Sequence, residues 1–415
     1  MRFTPLHKAL GLEPSEQLSD AILDSAVDEG VSEGEDLDWK QRLPDIRSLS
    51  TSDVKKDIAA MANSGGGMIV YGVEESQSKA VARHDPGEFD ERYESTYRRV
   101  AINKISPPVF GLRIDRLGDN KRAIAVEVLA SSEVPHLVQY DDRFGAPVRN
   151  GSDTVWMNER QIEAMYRTRF DERRRAAETL DGYYAEALEQ IGPSDRPWLV
   201  AVAHPRVPDV IARPNRDNAT AVFKQAETYA LKLAHRRGTH IFEATDHINP
   251  RAGLRRWTAV DQVRDGERPW CGAWASVHHD GSVSLVGPVG GLRAGQDFVC
   301  ELHDLLQWEL ENAVVDLAAL VRAGHRVLGH DEYDVRIGIE WAGAEILRIL
   351  EVGWNGHALA NRSIPLRRYS PVRTTLAPAL PMADFQRVVR TLAEDCINQG
   401  GLTELIVVKE SEGVE

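Results

Sequence analysis

The sequence predicts an α+β fold divided between two mixed domains. Three observations carry that expectation. At 415 residues the chain exceeds what one hydrophobic core usually serves, so two or three domains are natural. Segments with helical apolar spacing are interleaved with short β-branched runs bounded by turn residues. An apolar content of 42% and a charged content of 27% are those of a globular chain able to bury its cores.

Composition also narrows the function classes. No apolar run approaches the roughly 18 residues of a membrane span, and Met1-Arg2-Phe3-Thr4-Pro5 lacks the apolar core of a signal peptide. Cys271, Cys300 and Cys396 are odd in number and far apart, which argues against a disulfide framework or a cysteine metal site. A cytoplasmic protein without a membrane partner is expected. A net charge of -14 lowers the expectation of tight, non-specific nucleic-acid binding, because that binding is driven by counterion release from phosphates. It leaves room for a local basic groove or for a carboxylate-held metal.

Along the chain, a short helix is expected around Thr4 to Leu10 and a second from Leu18 to Val27, whose Ile22, Leu23 and Ala26 form an apolar stripe. A strand follows at Leu37 to Leu43, stopped by Pro44. The next helix has Thr51 or Ser52 as N-cap; Val54, Ile58 and Met61 face inward and Lys55, Lys56 and Asp57 outward. Asn63 and Gly65-Gly66-Gly67 end it, and Met68 to Val73 reads as a buried strand. Glu88 to Lys104 is a helix with Phe89, Tyr93, Tyr97 and Val100 on one face and Arg92, Arg98 and Arg99 mostly exposed. Strands at Val109 to Asp115 and Arg122 to Leu129 flank a turn at Gly118-Asp119-Asn120. Asn150-Gly151 marks a hairpin within Pro147 to Trp156. Asn158 then caps a long helix, with Gln161 as its capping-box partner, running toward Ile191.

In the second half, strands are expected at Trp198 to Ala203, Arg255 to Val260, Trp270 to His278, Ser282 to Val286, Val335 to Trp341 and Leu405 to Lys409. Helices are expected at Ala219 to His235, Asp297 to Arg322 and Ala383 to Gln399. Most tryptophans, Trp354 among them, lie in this half and read as core. His278-His279, His325 and His330 lack a third ligand at useful spacing and read as structural or exposed. Leu366 to Arg373 alternates cations with Tyr369, a weak nucleic-acid pattern.

The residues most informative about function lie in the first half. Glu33, Asp38 and Glu75 are ligand types that suit Mg²⁺ or Mn²⁺, although Glu33, Glu35 and Asp36 also read as a solvated acidic run. Lys40 is a candidate phosphate or transition-state contact, or an ion-pair partner of Asp38. Asn63, Gly65 and Gly66 invite a phosphate-cradle reading, yet the glycines lead into a strand and lack the Gly-Lys-Ser/Thr end of a P-loop. Arg149 beside the hairpin turn either reaches a phosphate or pairs with an acid. Arg92, Arg98 and Arg99 form either a basic surface or a solvated helix face.

Four segments, in this order, resemble the Schlafen AlbA-type (divergent AlbA) domain: the acidic stretch from Glu33 to Asp38-Trp39-Lys40; Ala62-Asn63-Ser64-Gly65-Gly66 with its strand to Gly72-Val73; the strand before Pro135-His136; and Val148-Arg149-Asn150-Gly151-Ser152. The likeness covers about residues 31–170. It implies a compact α+β module with a mostly antiparallel sheet; the spacing read above places a helical extension (1–30) before it and a helical connector (171–192) and an α+β domain of unknown function (193–415) after it. Family members include regulators with DNA-binding roles and animal Schlafen proteins that cut transfer and ribosomal RNA with three carboxylates and a divalent metal. Position by position, those acids fall on Glu33, on Asp38 where glutamate is usual, and on Glu75 where aspartate is usual. The implied function is nucleic-acid binding in a regulatory role, through Lys40, Arg149 and the basic helix, on DNA or structured RNA. The alternatives are a metal-dependent endoribonuclease using Glu33, Asp38, Glu75 and Lys40, and an ATP-binding switch using Asn63, Gly65 and Gly66. The animal relatives pair two lobes, which implies a homodimer here.

Overall fold

The computed structural model describes residues 3–13, 16–118, 122–140, 143–206, 213–235, 238–261, 270–291, 300–330, 332–352, 358–359 and 363–410. Asp119-Asn120, Trp354 and the start of the helix expected from Asp297 lie outside the described residues. The chain divides into two units, Met1–Glu172 and Arg173–Glu415.

The first unit opens with helices α1 (Pro5–Leu10) and α2 (Asp20–Asp28), strand β1 (Leu37–Lys40) and helix α3 (Val54–Asn63). Strands β2 (Gly67–Tyr71), β3 (Val73–Ser76) and β4 (Lys79–Arg83) lead to α4 (Glu91–Asn103). Then come β5 (Ile105–Ser106), β6 (Arg113–Leu117), β7 (Ala123–Val128), β8 (Leu137–Tyr140) and β9 (Arg143–Gly145). The hairpin β10 (Pro147–Asn150) and β11 (Asp153–Trp156) precedes α5 (Glu159–Ile191), whose later part belongs to the second unit. Asn158 and Gln161 exchange the expected capping bonds, at 3.0 and 2.9 Å.

Strands run β1-β2-β7-β6, with only the β1–β2 pair parallel. The mostly antiparallel α+β expectation holds. Central strand β2 is buried throughout because helices cover both faces of the sheet, and that double cover is why its sequence is a continuous apolar run. Met68 and Val70 pack with Leu6, Leu23 and Trp39 on the α1–α2 side. Ile69 and Tyr71 pack with Ile58, Met61 and Tyr97 on the α3–α4 side.

Helix α3 departs from expectation. Its N-cap is Asp53, and both Lys55 and Asp57 are buried, not outward-facing. The helix has neighbours beyond the sheet: strands β10 and β8 pack on it. Lys55 donates to the Gln139 carbonyl (3.1 Å) with its ammonium 4.2 Å from the Tyr140 ring centre. Of the glycines after α3, Gly66 and Gly67 serve close approach. Gly66 has φ of 93°, and a Cβ there would lie 2.8 Å from Ala130 N and 2.9 Å from Val128 O.

In the second unit β12 (Trp198–Pro205) is followed by α6 (Arg216–Leu233), α7 (Ile241–Ala244), β13 (Arg251–Gly253) and β14 (Arg256–Val260). Strands β15 (Trp274–His278), β16 (Val283–Pro288) and β17 (Asp304–Leu306) lead into α8 (Gln307–Leu328). The remainder is β18 (Tyr333–Glu340), β19 (Arg348–Val352), β20 (Ala358–Leu359), β21 (Val372–Leu376) and α9 (Met382–Asn398). An antiparallel sheet runs β13-β14-β15-β16-β12-β18-β21. Residues of α6, α8 and α9 form the large core on one face, while Leu180, Tyr184 and Ala187 of α5 pack on Val200, Val202 and Val286 of the other.

Two expectations in this unit are corrected. Leu405 to Lys409 is not a strand: the Glu311 carboxylate takes the N–H groups of Ile406 (3.0 Å), Val407 (2.7 Å) and Val408 (3.1 Å), leaving Val408 one bridge to Ala234. The helix expected from Asp297 begins only at Gln307, because Asp304–Leu306 pairs in parallel with β19 and Glu309 caps the Leu306 N–H. Tyr369, the aromatic of the weak basic pattern, is buried, donating its hydroxyl to the Cys396 carbonyl (3.0 Å). His278 and His330 are buried, and burial pushes His278 down to about 4. Among the described residues no helix is long and apolar enough to cross a membrane.

Candidate functional site

Strand periodicity builds the site. Side chains alternate along β1, so Leu37 and Trp39 enter the α1–α2 core while Asp38 and Lys40 share the opposite face. β1 is an edge strand, and Glu33 accepts the Trp39 N–H (2.8 Å), satisfying a backbone donor on it.

Asp38 is 2% exposed and lies between two cations. Arg149 Nη1 donates to its Oδ1 (3.0 Å), and Lys40 Nζ sits 2.7 Å from Oδ2 in an ion pair with poor hydrogen-bond alignment. The Arg149 side chain, 3% exposed, also donates to Gly34 O (3.1 Å) and Thr154 Oγ1 (3.3 Å), and its backbone N–H to Ser64 Oγ (2.9 Å). It therefore ties the β10–β11 hairpin to β1 and to the end of α3. The Lys40 side chain keeps 38% of its surface exposed.

Asp57 of α3 completes the cluster. Burial pushes its carboxyl up to about 6, against the attraction of Lys40. Burial likewise pushes Glu33 up, opposed by the bond from Trp39. Burial pulls Lys40 down, but Asp38, Asp57 and Glu33 together outweigh it and hold the ammonium above its ordinary value. The spacing from Val54 to Met61 places Asp57 on the inward face of α3, the signal that would have marked it.

Of the expected site residues, Glu33, Asp38, Lys40 and Arg149 are brought together. Glu75 stands exposed on β3, close enough for its charge to reach Glu33, with Oε2 accepting the Ser78 N–H (2.9 Å). Arg92 and Arg99 are exposed on α4, a separate element, while Arg98 pairs with Glu94 (2.8 Å) and donates to Leu112 O (2.6 Å). Among the described residues no three His, Cys, Asp or Glu side chains are arranged to hold a metal ion. Glu33, Asp38 and Glu75, as placed, do not fit a divalent centre, since Asp38 is neutralised by two cations.

Asn63 is buried and clamps loops: its amide nitrogen donates to His136 O (3.0 Å) and Pro147 O (2.8 Å), and its oxygen accepts the His136 N–H (2.7 Å). Gly65 and Gly66 line a cleft of about 240 Å³ with Lys8, Asp36 and Glu127. Its lysine is already paired with Asp36 (2.8 Å), so the lining does not have the character of a phosphate cradle.

Residues 33–158 match the family model described as Schlafen, AlbA_2. This segment is a Schlafen AlbA_2 domain. The rest of the chain matches no family model, and no curated protein matches the chain. Among solved structures, the DIP2311 protein from Corynebacterium diphtheriae is similar at 20% identity and a TM-score of 0.24, over 34% of this chain and 25% of that one. The match thus spans about a quarter of that protein's length. The domain family suggests nucleic-acid binding.

Proposed function

We propose that the Schlafen AlbA_2 domain binds nucleic acid along the β1 edge, with Lys40 as a phosphate contact, in a regulatory capacity. One observation supports this reading above the others. The partly exposed Lys40 side chain is held in place by Asp38, and Asp38 is held by the buried Arg149. A cation ordered in advance loses less freedom on binding, and lysine serves phosphates as a compact point charge. Arg149 is then a positioning residue and not a phosphate contact. The chain's net charge of -14 implies modest affinity that is strongest at low salt.

Fluorescence anisotropy with single- and double-stranded RNA and DNA, from low to physiological salt, tests the reading. Lys40→Ala should weaken binding to each nucleic acid and reduce the salt slope by about one. Absence of binding to all of them at low salt, or an unchanged slope in the variant, would sink it. The same nucleic acids should stay intact with Mg²⁺ or Mn²⁺; metal-dependent cleavage would overturn a purely binding role.

A further inference from the structure

Thr154, which touches Arg149, shares one face of the β10–β11 hairpin with Trp156, two residues farther along the strand. Trp156 is 49% exposed. Its indole covers Gly145 of β9, where a Cβ would lie 2.6 Å from the ring, and meets the Tyr140 ring edge-on at 5.4 Å. Arg143, exposed, stands opposite Tyr140 in the β8–β9 ladder, and the Lys55 ammonium already occupies the Tyr140 ring. Covering a strand glycine accounts for one side of the indole. It does not account for a large apolar ring left half in water.

We propose that Trp156 is a stacking platform for an unpaired nucleobase, with Arg143 contacting the adjoining backbone phosphate. This rests on the nucleic-acid reading above and names its ligand class: single-stranded RNA or DNA, or an unpaired loop. Stacking selects that class because a duplex keeps its bases against one another, whereas an unpaired base offers its π-face to an aromatic side chain. Arg143, exposed on the same short strand as Gly145, complements a polyanion, and the shared hairpin face relates the platform to the Lys40 cluster through Thr154 and Arg149.

The test compares binding of full-length protein to a base-bearing DNA strand, an abasic strand of equal length, the matching RNA strand and a duplex. The wild-type protein should prefer the base-bearing strand to the abasic one by roughly five- to 150-fold. Trp156→Ala should lose that preference while holding the abasic strand as before, and Trp156→Phe should retain most of it. Equal wild-type affinity for base-bearing and abasic strands overturns the platform and leaves the phosphate-binding reading standing. Absence of wild-type binding to every strand overturns both. The wild-type comparison needs no variant to fold, and the RNA and DNA arms report which sugar is favoured.

Discussion

Replacing Asp57 by asparagine should stabilise α3, by an amount that depends on pH. The Asp57 carboxyl lies near 6 in the folded chain against an ordinary 3.8. A difference of about two pH units corresponds to about 3 kcal/mol of preference for the neutral form. The acid's pKa is raised on folding, so its contribution to stability is complete below about 4 and is lost as pH rises through about 6. Above that, the buried carboxylate imposes a constant penalty. Asp57→Asn removes the charge at similar volume, so at pH 8 the variant should gain up to about 3 kcal/mol, a figure that already includes the lost attraction to Lys40. At pH 4 the two proteins should be nearly equal. Native-state hydrogen exchange of the α3 amides in the full-length chain reads this directly, without requiring both units to unfold together. A difference independent of pH, or a variant less stable at pH 8 than at pH 4 relative to the parent, would refute the account of Asp57 as a carboxylate destabilised by burial.

Arg149→Ala should lower stability by up to about 3–5 kcal/mol in urea titration, because it leaves buried Asp38 with the partly exposed Lys40 as its remaining cation. Arg149→Met combined with Asp38→Leu should lose less than the arginine change alone, and equal losses would contradict the pairing. Gly66→Ala should lower the thermal midpoint well beyond Gly65→Ala. Both sites have positive φ, at 93° and 89°, but only at Gly66 does an added Cβ meet backbone, whereas nothing lies within 4 Å at Gly65. Matching shifts measured by differential scanning fluorimetry would show that steric approach is not what selects glycine there.

Several local signals, each determined by a single segment, were legible. The Asn158–Gln161 capping box, the Asn150-Gly151 hairpin and the inward stripe of α2 all form, because each depends on neighbours within a few residues. Where a distant group supplies the partner, local pattern misled. Leu405 to Lys409 has a strand-like sequence, yet a carboxylate on α8 takes its amides before a ladder can. Lys55 looks solvent-facing until β8 and β10 close over α3. The resemblance to Schlafen AlbA-type domains was visible in motif order, which survives even when individual acids change.

For the site, the sequence by itself determined the inventory: acids before and within β1, a lysine at its end, an asparagine ending α3 with glycines after it, and an arginine at a hairpin. Period-two alternation was enough to put Asp38 and Lys40 on one face. Only the tertiary structure decided which charges neutralise one another. Arg149 is 111 residues from Asp38 in sequence, yet it reaches that carboxylate and leaves Lys40 as the partly exposed cation of the cluster. The reason is that ionic pairing depends on distance and burial in space, neither of which is a property of one segment.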